Sequence, residues 1–140
     1  HEMRRLSDIY ASRCVLAPVS VAAETLTASA FVDAAGVDEG CFLVSAAALA
    51  EGKHITVGVY ASDDASGAGA TVCEEATFAA SAETAGQPTL ITLSHKPKAG
   101  EGRYLAVKFK HDAAEALLCV VSASVGTMYR PAANLWAVEG

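Results

Sequence analysis

Two stretches of this 140-residue chain alternate apolar and polar residues with a period of two, the spacing that puts every second side chain on one face of a strand. In Tyr104-Leu105-Ala106-Val107-Lys108-Phe109-Lys110, the residues Leu105, Val107 and Phe109 face one way and Lys108 and Lys110 the other. Leu117 to Val125 repeats the pattern with Leu117, Cys119, Val121, Ala123 and Val125 on a single face. Ile55, Val57 and Val59 form a third such set, and Ile91 and Leu93 alternate with Thr92 and Ser94. Cys41-Phe42-Leu43-Val44 is apolar throughout and reads as a strand buried on both sides.

Turn residues punctuate these runs. Asp33-Ala34-Ala35-Gly36, Asp38-Glu39-Gly40, Asp63 to Gly69, Gly86-Gln87-Pro88 and Pro97 to Gly102 read as supplying the positive φ angles and pairing stops that separate strands. His111 to Glu115 falls where a hairpin would join two long strands, and the alanine-rich Ser45–Glu51 is a marginal helix at best. Val21 to Ala30 is similarly marginal, with Thr25, Thr27 and Phe31 favouring strand. Seven or eight short strands at regular spacing predict an all-β fold, an antiparallel sandwich or barrel, and a single antiparallel β-sandwich of jelly-roll or Ig-like type is the expectation. The expected organisation is an N-terminal arm over 1–19, a sandwich domain over 20–128 and a C-terminal arm over 129–140. His1 and Glu2, which precede Met3, read as a tag remnant.

Composition narrows the function. Ten basic residues against sixteen acidic ones leave a net charge of −6, and no basic stripe is present to neutralise phosphates. Nucleic acid and membrane surfaces are therefore not expected partners. No apolar run reaches the roughly 18–20 residues of a membrane helix, and the start of the chain lacks a signal-peptide pattern. A soluble protein made in the cytosol is the expectation. Cys14, Cys41, Cys73 and Cys119 show neither CxxC pairing nor zinc-finger spacing, and read as free thiols, although an even number leaves a disulfide open.

The search for chemistry finds no nucleophile elbow, P-loop, dinucleotide fingerprint or H-E-x-x-H motif. His54, His95 and His111 are isolated in sequence and sit at strand ends or turns, where exposed histidines are ordinary. No catalytic residue, cofactor or metal is expected. The weak candidate for a cation loop is Asp63 with Asp64, but Asp and Gly there also suit a simple turn. Arg103 reads as an edge arginine with its stem on Tyr104 rather than a ligand clamp. Trp136 is the only tryptophan and stands on the tail, where an aromatic either folds back or anchors a partner.

The order of several motifs resembles small structural proteins of tailed bacteriophages. These are Val32-Asp33-Ala34-Ala35-Gly36-Val37-Asp38, Phe42-Leu43-Val44, Ala47 to Gly52, Ile55-Thr56-Val57, Val59 to Asp64, Gly102 to Val107, Val121 to Gly126 and Arg130-Pro131. Ala61 departs from the glutamate usual in that group before Ser-Asp-Asp, and nothing past Pro131 matches it. The resemblance implies a non-enzymatic β-sandwich that is part of a virion. A capsid decoration or cement protein, assembled in the bacterial cytoplasm, is the leading reading. A head–tail connector, a tail component, or a carbohydrate- or surface-binding module is the alternative. The implied partners are the major capsid protein or other virion proteins and further copies of the chain, a trimer being favoured. Expected contact residues are Leu6, Ile9 and Tyr10 in the N-terminal arm and Tyr129, Leu135 and Trp136 in the tail.

Overall fold

The structure, a computed structural model, describes residues 10–127 together with 134, 136 and 138. Nine strands and no helix occur among them: β1 (Tyr10–Val21), β2 (Thr27–Ala28), β3 (Val32–Asp33), β4 (Val37–Ala46), β5 (His54–Ser62), β6 (Thr71–Ala79), β7 (Thr89–His95), β8 (Tyr104–His111) and β9 (Leu117–Thr127). They form two antiparallel sheets. One has the order β1-β9-β4-β7; the other has β2-β8-β5-β6, with β3 also on β8.

The pairs are nested. β5 pairs with β6, β4 with β7, β2 and β3 with β8, and β1 with β9, so the chain is one long hairpin whose tip is the loop between Ser62 and Thr71. Rolling that hairpin up adds the β4–β9 and β5–β8 pairings and closes two sheets over one core. Counting β2 and β3 as one interrupted strand gives the eight-strand jelly roll, which decides between the two sandwich types the sequence allowed. Ser29 bridges the interruption: its amide donates to Val107 O at 2.9 Å and its hydroxyl accepts from Val107 N at 3.0 Å.

The alternation does what its period requires. Phe42 and Val44 of β4, Ile55, Val57 and Val59 of β5, Leu105, Val107 and Phe109 of β8, and Cys119 and Val121 of β9 are all buried in one cluster. Each fully buried side chain of this size contributes about 1.5–3 kcal/mol. β4 is not buried on both sides, since Leu43 lies outward while Phe42 and Val44 lie inward.

Further expectations need correction, and one strand went unread. Asp38-Glu39-Gly40 is not a turn but lies within β4. Residues 10–19 are not an arm but most of β1. Its alternation is broken by register shifts between Cys14, Leu16 and Val19, and Pro18 is tolerated on this sheet edge within the second shift. Ser45–Glu51 forms no helix, because β4 runs on to Ala46 and Leu49 turns into the core. His111–Glu115 is no hairpin, because β8 and β9 belong to different sheets. Finally, β6 is a strand that periodicity missed: on a sheet edge, most of its residues are exposed.

Candidate functional site

Of the expected contact residues, Leu6, Ile9, Tyr129 and Leu135 lie outside the described residues. Tyr10 is half-buried at the start of β1, opposite Gly126, where an added Cβ would stand 3.0 Å from the tyrosine ring. Asn134 of the tail bonds to this strand: its Oδ1 accepts from Ser12 N at 2.6 Å, and its Nδ2 donates to Tyr10 O at 3.1 Å. Trp136 is 90% exposed and does not fold onto the body.

Of the pair Asp63 and Asp64, the second is engaged within its own loop. Asp64 Oδ1 accepts from both the amide and the hydroxyl of Ser66 at 2.9 Å, which holds its pKa below the ordinary value and closes a local turn. The same loop packs Gly67, at φ +86°, under the Phe31 ring, so no side chain fits there. Arg103 lies beside Tyr104 as expected, 5.4 Å from the ring centroid, and also makes a two-pronged pair with Asp33 at 2.7 and 2.6 Å. That pair pulls the Asp33 carboxyl down to about 2.

The two sheets present different surfaces. Outward residues of the β1-β9-β4-β7 sheet are Ser12 and Cys14, then Leu118, Val120, Ser122 and Ser124, then Glu39, Cys41, Leu43 and Ser45, then Leu90, Thr92 and Ser94. Glu39, at one end of β4, is the single charge in this set. Leu90 and Leu118 are 63% and 59% exposed. The opposite sheet carries Thr56, Tyr60, Glu75, Thr77, Lys108 and Lys110 in paired positions, with the Lys108 ammonium 4.7 Å from the Tyr60 ring centroid.

The histidines are not the exposed set that sequence position suggested. His54 is exposed, with Nδ1 2.9 Å from Asp112 Oδ2. His111 is buried: Nε2 contacts Val21 O at 2.7 Å and Nδ1 accepts from Ala113 N at 3.1 Å, which fixes the β8–β9 crossing against β1. His95 is buried as well, its side chain only 1% exposed at the end of β7. Carboxylates flank both of its nitrogens, Glu74 Oε2 at 2.7 Å from Nδ1 and Glu101 Oε1 at 2.9 Å from Nε2.

Cys73 completes this cluster, and a β-bulge puts it there. β6 pairs Glu74 with Val59 and Val72 with Tyr60, which leaves Cys73 as the extra residue. Val72 lies outward with Tyr60, whereas Glu74 shares the inward face of Val59 and the half-buried Cys73 packs against the core. Two consecutive residues thereby reach the same histidine region, which a regular strand forbids. Glu101 comes from the following loop, held by Lys98 N at 2.8 Å; Gly102 beside it sits so close to the Ser62 backbone that a Cβ would overlap it. Burial, then the hydrogen bond to Glu101 and its negative charge, push the Cys73 thiol up to about 11. Burial would also raise Glu101, but hydrogen bonds from Lys98, Cys73 and His95 outweigh it and leave its pKa lowered. Sequence reasoning missed this set because its members come from β6, β7 and a loop; the one local signal was Cys-Glu-Glu inside an otherwise uncharged β6.

No protein-family model and no curated protein matches the chain. Among solved structures it is similar to the PBSX exported protein XepA, with 15% identity and a TM-score of 0.58, over 99% of this chain and 44% of that one. The chain thus spans less than half the length of that protein, and the likeness is one of fold. Weaker matches are a Bacillus endospore appendage pilus protein, at 14% identity, TM-score 0.49, and 91% and 99% coverage, and PRD1 vertex protein P5, at 13%, 0.46, and 86% and 95%.

Proposed function

We propose that the chain is a non-enzymatic structural protein of a tailed-phage or prophage virion, seated on the head exterior as a decoration or cement protein. The observation that carries this reading is the outer face of the β1-β9-β4-β7 sheet. In a chain of net charge −6, a sheet face whose paired outward positions carry one charge, Glu39 at its end, and which bears exposed Leu43, Leu90 and Leu118, is the surface that gains most from being covered. Charge depletion with isolated apolar anchors is also the composition of interface centres. Trp136 adds an exposed aromatic near the β1 edge, where Asn134 is bonded. The capsid protein or another virion protein is the proposed partner, and association into a trimer would suit threefold lattice positions. A sugar-binding platform is less well supported, because Tyr60 and Tyr104 already carry Lys108 and Arg103 over their rings.

Immunogold electron microscopy of particles induced from the host, with antibody to this chain, tests the reading. Label spread over heads is expected. Label at the neck or tail would move the role to a connector or tail component, and unlabelled particles would overturn it.

A further inference from the structure

We propose that Cys73, His95 and Glu101 form a binding site for one divalent cation of the zinc class. One donor atom from each residue lies within 4.8 Å of the others. A tetrahedral ion bound at about 2.0–2.3 Å needs its ligands roughly 3–4 Å from one another, so small side-chain adjustments bring the three into register. A thiolate, an imidazole and a single carboxylate suit zinc, whereas magnesium and calcium take oxygen donors alone.

Three features set this cluster apart from a chance meeting of polar groups. The bulge on β6 turns Cys73 toward the side already occupied by Glu74, at the cost of a regular ladder. Glu74 Oε2 engages Nδ1 of His95 at 2.7 Å and so presents Nε2 to Glu101 and Cys73, the carboxylate–histidine arrangement that orients metal-bound imidazoles. The third feature is the ring's surroundings: both nitrogens of this buried imidazole stand against carboxylate oxygens, at 2.7 and 2.9 Å, an acceptor-rich setting that a cation between Nε2 and Glu101 would complete.

Binding replaces the Cys73 S–H bond with a sulfur–metal bond and displaces the proton held between Nε2 of His95 and Glu101, both protons passing to solvent, so that Nε2 donates its freed lone pair and Glu101 an oxygen. Three protein ligands leave a fourth position for water or an outside donor. Protons compete with the metal for the thiolate and imidazole ligands, so affinity falls as pH falls.

The test uses the full chain stripped with a chelator, in a Cys14→Ser, Cys41→Ser background, titrated with Co²⁺ by absorption and with Zn²⁺ by calorimetry. One equivalent of metal and a thiolate-to-cobalt charge-transfer band are expected. Cys73→Ser should abolish the band in a folded chain, and Glu74→Gln should weaken Kd about 10–100-fold with the band retained. Should the buried His95→Gln variant fail to fold, these two substitutions still carry the test. Absence of stoichiometric binding, or a band that survives Cys73→Ser, would overturn the proposal.

Discussion

The two sheets share one core but treat solvent in opposite ways. On both, inward positions hold Val, Ile, Leu and Phe, and each sheet has an edge strand, β1 or β6, whose register is interrupted. Outward, the β5-β8 side couples Thr56 to Thr77 at 2.9 Å and stacks Lys108 on Tyr60, a face finished with its own polar partners. The β4-β9 side presents serines, thiols and leucines, with few side-chain partners beyond the 3.2 Å Ser12–Ser124 hydroxyl contact. Hydrophobic periodicity therefore specifies which face is inside but is silent on what the outside is for. That depends on the chemistry of the residues filling the polar half of the pattern.

The comparison can be broken or sharpened experimentally. The largest effects should be equal on the two sheets: Phe42→Ala and Phe109→Ala, both at fully buried positions, should each cost about 3–5 kcal/mol in urea unfolding. A marked inequality would mean that the core collapses around one cavity more readily than around the other. Next, Leu90→Lys with Leu118→Lys should weaken particle binding by tenfold or more while each shifts stability by only about 0.5 kcal/mol. Lys108→Ser with Lys110→Ser on the other face should leave binding unchanged; the reverse result would transfer the docking role to that face. Lys108→Ala should lose about 0.5–1 kcal/mol through its contact with Tyr60, and little in a Tyr60→Leu background, which a double-mutant cycle would show.

The smallest effect concerns acid. Asp33 is lowered to about 2 from an ordinary 3.8 by Arg103, so it binds its proton less readily folded than unfolded. Its contribution is therefore complete above about pH 4 and is lost as pH falls toward 2. An Asp33→Asn variant should show a shallower loss of stability across that window, by a modest margin because both partners are exposed. Identical acid profiles would remove the pair from the account.

Legibility from sequence followed locality. β5, β8 and β9 were readable because inward and outward residues alternate without interruption. β6 was not, since an edge strand exposes its polar residues on both sides, and β1 was obscured by two register shifts around Pro18. Trp136, conspicuous by its type, is exposed as a tail contact would require, yet Tyr10 proved to be part of the sheet. The Asp63-Asp64 loop is the turn its composition suggested.

The chain by itself determined an all-β fold of half-buried strands, because a period of two buries one face of a strand; that the strands pack as two sheets was decided by the pairing. Tertiary structure alone decided the nested order of pairing, and with it the meeting of Cys73, His95 and Glu101. Contacts between residues far apart in sequence leave no periodic trace. A histidine at a strand end looks the same whether it faces water or two carboxylates, until the rolled hairpin brings the second sheet against it.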